Sequence, residues 1–374
     1  MKKNYLLINV LIFVLSIVLL SCATTNSVSK KPAEIIQFIG TDYTELPAGT
    51  DGTAGKKAAY VLFGDWPQTI KADDVTVDES KGSVVGAFIY YLGSDGAFYA
   101  KCSENSCGKR DAETVYSNGT KVAYSEAKSF QYFKVEPIKW RVLTNNYNGK
   151  KLLFAENILM PCAYYDGNVR WFDDGTDMYR NNYKGSRVRA FLNGLSYQTQ
   201  NGKLPVKTVS EFEGNGFLQT AFTTELQKKI VVTVVDNSIE STMPNQLPTD
   251  SDWNSDSSDC ICENTLDKIF LLSMDELTEK SYGFATCGTQ DYENPGNKSR
   301  IRIPTDFAKA NGANQQNCWL DGKNYRGGNW WLRSPAAYEY KEWLVFECAP
   351  YGWVNCGYMC YVNLVGVVPA LCLE

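Results

Sequence analysis

Twelve cysteines and not one histidine bound the chemistry open to this 374-residue chain. Without an imidazole it has no Ser/His/Asp or Cys/His relay, no histidine general base, and no histidine-containing zinc or iron site. No CxxC pair occurs either, so neither a zinc ribbon nor a thioredoxin-type redox motif is supported. Asp250, Asp252, Asn254 and Asp256 alternate as the first ligands of a calcium loop do. Ser255, however, holds the sixth position, which calls for glycine, and Ile261 the twelfth, which calls for glutamate. That segment reads as a solvated acidic loop, and no cofactor or metal is expected. Cys22 has a different use. It directly follows Leu19, Leu20 and Ser21 at the end of an apolar run over residues 5–20, itself preceded by Lys2 and Lys3. This is the pattern of a secretory signal ending in a bacterial lipobox, so residues 1–21 are expected to be cleaved and Cys22 lipidated. Two fatty chains on a diacylglycerol would anchor the protein stably at a membrane surface. The eleven cysteines left are an odd number, so at least one thiol lies outside any intrachain disulfide. Cys102 and Cys107 flank a short polar turn and could bridge or stay reduced, whereas Cys260 and Cys262 are too close for an easy mutual bond.

The strongest concentration of chemistry is in residues 336–363. Eight aromatic side chains fall there: Tyr338, Tyr340, Trp343, Phe346, Tyr351, Trp353, Tyr358 and Tyr361. Cys348, Cys356 and Cys360 are interspersed among them, with Asn355 and Asn363. The aromatic density is about double the 13% of the whole chain, and it forms neither a clean helical stripe nor a clean strand alternation, so some rings must face water. Exposed Tyr and Trp with small polar neighbours are what adaptable binding surfaces use, because rigid amphipathic rings give contact area at low entropic cost. These thirteen residues are therefore the expected ligand-binding face. Strand alternation turns Val354 and Val362 inward and Trp353, Asn355, Tyr361 and Asn363 outward. The competing reading is a β core rich in aromatics, as in a purely structural envelope protein.

Positioning such a face requires a scaffold. With 44% apolar residues there is ample material for a core, and a net charge of −5 without a basic block gives no footprint for nucleic acid. Residues 22–57, rich in Thr, Ser, Lys, Ala, Pro and Gly, read as a flexible tether, leaving 58–374 as the folded domain. Residues 58–70 give an apolar strand and a Trp-Pro turn. Residues 86–101 are two aromatic runs joined at Gly93-Ser94-Asp95-Gly96, a hairpin signal. Residues 130–143 and 151–155 add strands around the Asn148-Gly149 turn. Helices are fewer. Ser186 caps one carrying Val188, Phe191, Leu192 and Leu195; Thr224 with Gln227 and Ser273 with Glu276 make capping-box patterns; Thr305 opens a short one closed by Gly312. Residues 231–235 read as a buried strand. The expected class is α+β with short helices and long irregular loops.

In order along the chain stand FGDWPQT (63–69), EPIKWRVL (136–143), LLFAENIL (152–159), SRVRAFLNGL (186–195), DKIFLLSMDE (267–276), TDFAKANG (305–312), WWLRSP (330–335) and GVVPAL (366–371). Together they resemble a bacterial family of exported proteins ending in WWLRSP and GVRPAL motifs. The lipobox and aromatic tail are most similar to its variable lipoproteins of the treponemal type, targets of diversity-generating retroelements. The resemblance implies a C-type lectin fold of the formylglycine-generating-enzyme type, with a variable C-terminal segment lining a ligand-binding surface. It also implies adenine-directed mutagenesis, by which AAC codons become Tyr, Asn, Asp, Ser, Cys, Phe, Ala, Val or Leu. Trp343, Glu347, Trp353 and Met359 are not reachable in that way, and Val368 stands where the wider family usually has Arg. The implied partner is a protein or glycan of unknown identity, met by a monomer held by its lipid at the outer membrane or cell surface. The oxidases of this fold use two thiols near the C-terminus with copper(I), and Cys356 and Cys360 are superficially similar. Their spacing, with three intervening residues in place of four, argues against it, so a non-enzymatic binder is expected.

Overall fold

The computed structural model describes residues 40–50, 57–104, 113–123, 126–166, 181–199, 205–242, 262–284, 295–320, 323–336, 344–355 and 360–374. All belong to one unit, Ile36–Glu374. The signal segment, Cys22, the acidic loop from Asp250 to Asp256, and Cys107 and Cys260 lie outside the described residues.

Among the described residues nine strands lead through the first part of the fold: β1 Thr44–Thr50, β2 Lys57–Ile70, β3 Val77–Val85, β4 Phe88–Gly93, β5 Phe98–Cys102, β6 Thr114–Val115, β7 Lys121–Val122, β8 Gln131–Tyr147 and β9 Lys150–Ala155. The seventeen-residue β8 is the spine. One edge pairs antiparallel with β2, and the other with β5 at its start and β9 at its end. The sheet continues from β5 through β4 to β3, and from β9 through Ala370–Leu373 to Ile269–Phe270. Both glycine turns behave as their residues require. Gly96 takes a φ of 78°, and Asn148 and Gly149 take 52° and 80°, the left-handed pair that joins β8 to β9 in a tight hairpin. The Trp-Pro segment does not turn: β2 runs through Trp66 and Pro67, with register shifts absorbing the irregularity.

Part of the segment expected as a tether is strand. β1 pairs antiparallel with β2, Thr44 opposite Leu62 and Thr50 opposite Lys57. Just before it, the backbone N–H and hydroxyl of Thr41 both donate to the Asp65 carboxylate. Residues 40–50 therefore belong to the folded part, and the expected boundary at 57 is corrected. β1 is a polar edge strand, which a search for apolar runs passes over.

Among the described residues six short helices cover the sheets: α1 Arg187–Asn193, α2 Phe217–Ala221, α3 Thr224–Lys229, α4 Ile239–Thr242, α5 Met274–Thr278 and α6 Asp306–Ala310. Ser186, Ser273 and Thr305 cap α1, α5 and α6, their hydroxyls accepting from Arg189, Glu276 and Ala308 N–H at 3.1, 3.3 and 3.1 Å. In α5 the Glu276 carboxylate returns a bond to the Ser273 N–H at 2.9 Å, completing the box. Two local readings shift. Thr223, not Thr224, caps α3, and the Gln227 amide donates to Phe222 O rather than closing a box. Gly194 ends α1 at a φ of 67°, which leaves Leu195 outside the helix and 36% exposed. The strand expected at 231–235 is Thr233–Val235, paired among the described residues with Thr265–Asp267 alone, and Val232 and Val234 face water. The whole is mostly β with a few short helices, an α+β arrangement in the broad sense.

A second sheet holds the C-terminal signal. Its order is Met160–Pro161, Gly366–Val367, Trp330–Ala336, Leu344–Cys348 and Val354–Asn355, the last three forming an antiparallel meander. Aromatic rings fill the space around Trp66, with Phe217, Phe88 and Phe307 centred 4.9, 5.3 and 6.1 Å away.

Candidate binding surface

The motif blocks meet one another inside the protein, and they do so through polar clamps. Arg333 of WWLRSP is fully buried, as is the sheet segment that carries it. Its guanidinium donates to Glu276 of α5 at 2.5 and 3.0 Å, to Leu271 O at 2.7 Å, and to Asp236 O at 3.1 and 3.2 Å. Tyr147 adds a 2.6 Å bond to the same carboxylate. Burial alone would push the Glu276 carboxyl up, but the Arg333 charge and the bonds from Arg333, Tyr147 and the Ser273 backbone prevail and hold it below the usual range. Ser334 accepts from Met274 N–H at 3.0 Å, so two adjacent residues fix the strand to the start of α5. The indole N–H groups of Trp330 and Trp331 donate to Arg300 O and Cys162 O at 3.3 and 2.8 Å.

The other blocks are tied likewise. Asn193 accepts from Lys268 and Ile269 N–H, both at 3.1 Å, and donates to Ile269 O at 2.8 Å, joining α1 to the strand before α5. Arg189 reaches Asp267 at 2.9 and 3.0 Å. Arg141 pairs with Glu156 at 2.9 and 3.2 Å, and the Trp140 and Trp66 indoles bond Phe63 O and Leu159 O at 2.8 and 3.0 Å. Val368 is fully buried among apolar neighbours. Each block thus positions another; none of these side chains is presented to solvent as a reactive group.

Upon this framework the aromatic segment divides. Phe346, Cys348 and Cys360 are buried in the core, so these three are corrected from ligand contacts to core residues. For Phe346 and Cys348 the reason is topological: Leu344–Cys348 lies between two other strands and is covered on both faces, where alternation separates two interiors rather than core from water. Cys360 sits on a turn, and its carbonyl accepts from Tyr165 N–H at 2.9 Å. Glu347 in the same strand is also fully buried. Val354 and Val362 pack against the core as expected. Tyr351 and Trp353 are half-buried on a tight turn closed by Ala349 N–H to Trp353 O and Gly352 N–H to Ala349 O, both 2.8 Å, with Gly352 at a φ of 81°. Their rings meet edge to face, 6.5 Å between centres at 88°. Tyr361 is 39% exposed, and Asn363 is exposed. The backbone of Asn355 is in the edge strand Val354–Asn355. Tyr338, Tyr340, Trp343, Cys356 and Tyr358 lie outside the described residues.

A groove that the sequence reading did not anticipate adjoins this turn. The hairpin of Gln316–Leu320 and Lys323–Gly327 sits against it, with Cys318 Sγ 3.1 Å from Pro350 O. Gly327 makes the approach possible, since a Cβ there would come within 2.2 Å of the same oxygen. Between this hairpin, the β6–β7 hairpin and Tyr351 lies a cavity of about 460 Å³ lined by Glu113, Val115, Gln315, Gln316, Asn317, Arg326 and Tyr351. A second cavity of about 570 Å³ continues on the other side of Val115 and Arg326, past Gln68, Asn157, Asn324 and the start of α6. Trp319, 68% exposed, stands on the same hairpin. The polar run Asn314-Gln315-Gln316-Asn317 beside the Gly327-Gly328 pair was the available signal.

The buried thiols are not poised for reaction. Burial pushes the Cys162, Cys262 and Cys318 thiols up, and that of Cys372 to about 11. Among the described residues no three Cys, Asp or Glu side chains gather as metal ligands would. The surface around the groove offers the Tyr351 ring, the amides of Gln315, Gln316 and Asn317, and the Arg326 guanidinium.

No curated protein and no solved structure matches the chain. Residues 148–374 match a domain of unknown function, DUF6273. The matched span holds the Asn193, Glu276 and Arg333 clamps, the aromatic segment and the hairpin beside it. Since it covers more than half of the sequence, the chain belongs to the DUF6273 family.

Proposed function

We propose that this chain is a lipid-anchored, non-enzymatic surface protein that binds a protein or glycan ligand through the outward part of its aromatic C-terminal segment. The scaffold in this reading is a C-type lectin fold of the formylglycine-generating-enzyme type. Cys22 carries the lipid, and the outer membrane or cell surface is the destination. The observation that carries the reading is the partition of the tail. Tyr351, Tyr361 and Asn363 keep access to solvent, as does Trp353, while Phe346, Glu347, Cys348 and Cys360 are buried in the framework. A diversified face must be replaceable without loss of the fold, and side chains outside the core satisfy that. The ring pair of Tyr351 and Trp353 supplies preorganised contact area, and the neighbouring amides supply hydrogen bonds to a polar ligand.

The test is an array of defined glycans and displayed peptides probed with the full lipidated chain in neutral detergent, beside a Tyr351→Ala/Tyr361→Ala variant. Ligands held by the parent and released by the variant, at an unchanged melting temperature, are the expected result. Equal retention by both proteins would refute the assignment of the face.

A further inference from the structure

We infer that the groove between the β6–β7 hairpin and the Gln316–Gly327 hairpin is a subsite for an acidic saccharide, with Arg326 as the group that reads its negative charge. The inference rests on the recognition reading above and names the ligand class for that surface. Arg326 lies where the two cavities of about 460 and 570 Å³ meet, both of a size that ligand sites occupy, roughly 300–1,000 Å³. It is half-buried, and among the described residues its guanidinium makes neither a hydrogen bond nor an ion pair. The two carboxylates of the groove are already engaged. Glu113 is held by Lys121 at 3.0 Å. Asp306 accepts from Ile70 N–H at 3.1 Å, from the Ser117 N–H at 2.8 Å and hydroxyl at 2.5 Å, and from Lys309 at 3.0 Å. The guanidinium is therefore the uncompensated charge, and its planar fork matches a carboxylate or sulfate in a bidentate way.

The remaining lining selects a sugar over a simple anion or an apolar molecule. Gln315, Gln316 and Asn317 on one side, and Asn157 and Asn324 on the other, present amides, each able to donate and accept as vicinal hydroxyls require. The Gln315 Oε1 is buried with no hydrogen-bond partner, an acceptor placed for a ligand hydroxyl. Tyr351 gives the same cavity an aromatic wall.

The experiment titrates the full lipidated chain in neutral detergent with tetragalacturonate, neutral cellotetraose and inorganic sulfate, on the parent, Arg326→Gln and Arg326→Lys. The expected result is at least tenfold tighter binding of tetragalacturonate than of cellotetraose or sulfate. Arg326→Gln erases that preference, Arg326→Lys keeps part of it, and melting temperatures stay unchanged because among the described residues the Arg326 guanidinium makes no bond within the fold. Equal binding of the acidic and neutral tetrasaccharides, binding of neither, sulfate binding as tight as the tetrasaccharide, or no effect of Arg326→Gln would each overturn the inference. The two readings fail separately. If the Tyr351→Ala/Tyr361→Ala variant loses array ligands while Arg326→Gln changes nothing, the acidic-saccharide assignment falls alone. If Arg326→Gln loses tetragalacturonate while the ring variant loses nothing, the groove stands and the aromatic face falls.

Discussion

Replacing Arg333 by Met removes the cation from the centre of the scaffold while nearly preserving its volume. Six bonds shorter than 3.4 Å end on this guanidinium, and its main partner Glu276 is itself almost fully buried. Taking one member from such a pair leaves a buried charge and unmet carbonyls, which costs about 3–5 kcal/mol. At this chain length 1 kcal/mol corresponds to roughly 2 °C, so the melting temperature should fall by about 6–10 °C. The pH dependence supplies a second, sharper signature. In the parent, Glu276 has a depressed carboxyl, so its contribution is present above the unfolded value of about 4.3 and is lost only as pH falls through the folded one. In Arg333→Met, burial is no longer opposed by the cation and raises that carboxyl. The penalty is then greatest at neutral pH and fades on acidification toward about 4.3. The stability gap between parent and variant should therefore narrow from pH 8 to pH 5. Urea unfolding across that range measures it, with Arg333→Met/Glu276→Gln included to expose a coupling of about 1–3 kcal/mol. A loss under 1 kcal/mol, a gap independent of pH, or strict additivity in the double variant would refute the reasoning.

Asn193→Ala should cost about 2–3 kcal/mol in urea unfolding, because Lys268 and Ile269 N–H lose a shared acceptor at partly buried positions. A loss below 0.5 kcal/mol would mean that water replaces the amide. Gly327→Ala should push the groove hairpin off the Pro350 carbonyl and weaken ligand binding at least tenfold with little change in melting temperature; unaltered binding would show that this contact does not shape the groove. Tyr361→Ala and Asn363→Ala should each change stability by no more than about 0.5 kcal/mol, as surface positions do, and a loss near 3 kcal/mol would make them core residues. Cys22→Ser should abolish incorporation of labelled palmitate and release the protein from membranes on fractionation; continued labelling would place the lipid elsewhere.

What could be read in advance was local. The Gly93–Gly96 and Asn148-Gly149 turns, and the caps at Ser186, Ser273 and Thr305, depend on a few neighbouring residues, and each appears where its chemistry requires. Thr44–Thr50 escaped because an edge strand with polar faces has no apolar periodicity to detect. Phe346 and Cys348 are core residues that alternation alone does not reveal, because it distinguishes two faces of a strand without saying whether both are covered, and that depends on the neighbouring strands. The groove was invisible for a related reason. Its walls come from Val115 and Ser117 on one side and Asn317 and Arg326 on the other, some two hundred residues apart in sequence. The motif blocks carried the resemblance, yet their side chains serve the framework; the proposed face lies in residues between them.

In the proposed reading the tail separates a framework from a replaceable surface. A saturation scan of residues 344–363, with protease resistance of the displayed full chain as the readout of folding, tests it without knowledge of any ligand. Broad tolerance at Tyr351, Tyr361 and Asn363 beside intolerance at Phe346, Glu347, Cys348 and Cys360 is the predicted pattern. Intolerance at the first three, or equal tolerance across all seven, would contradict it.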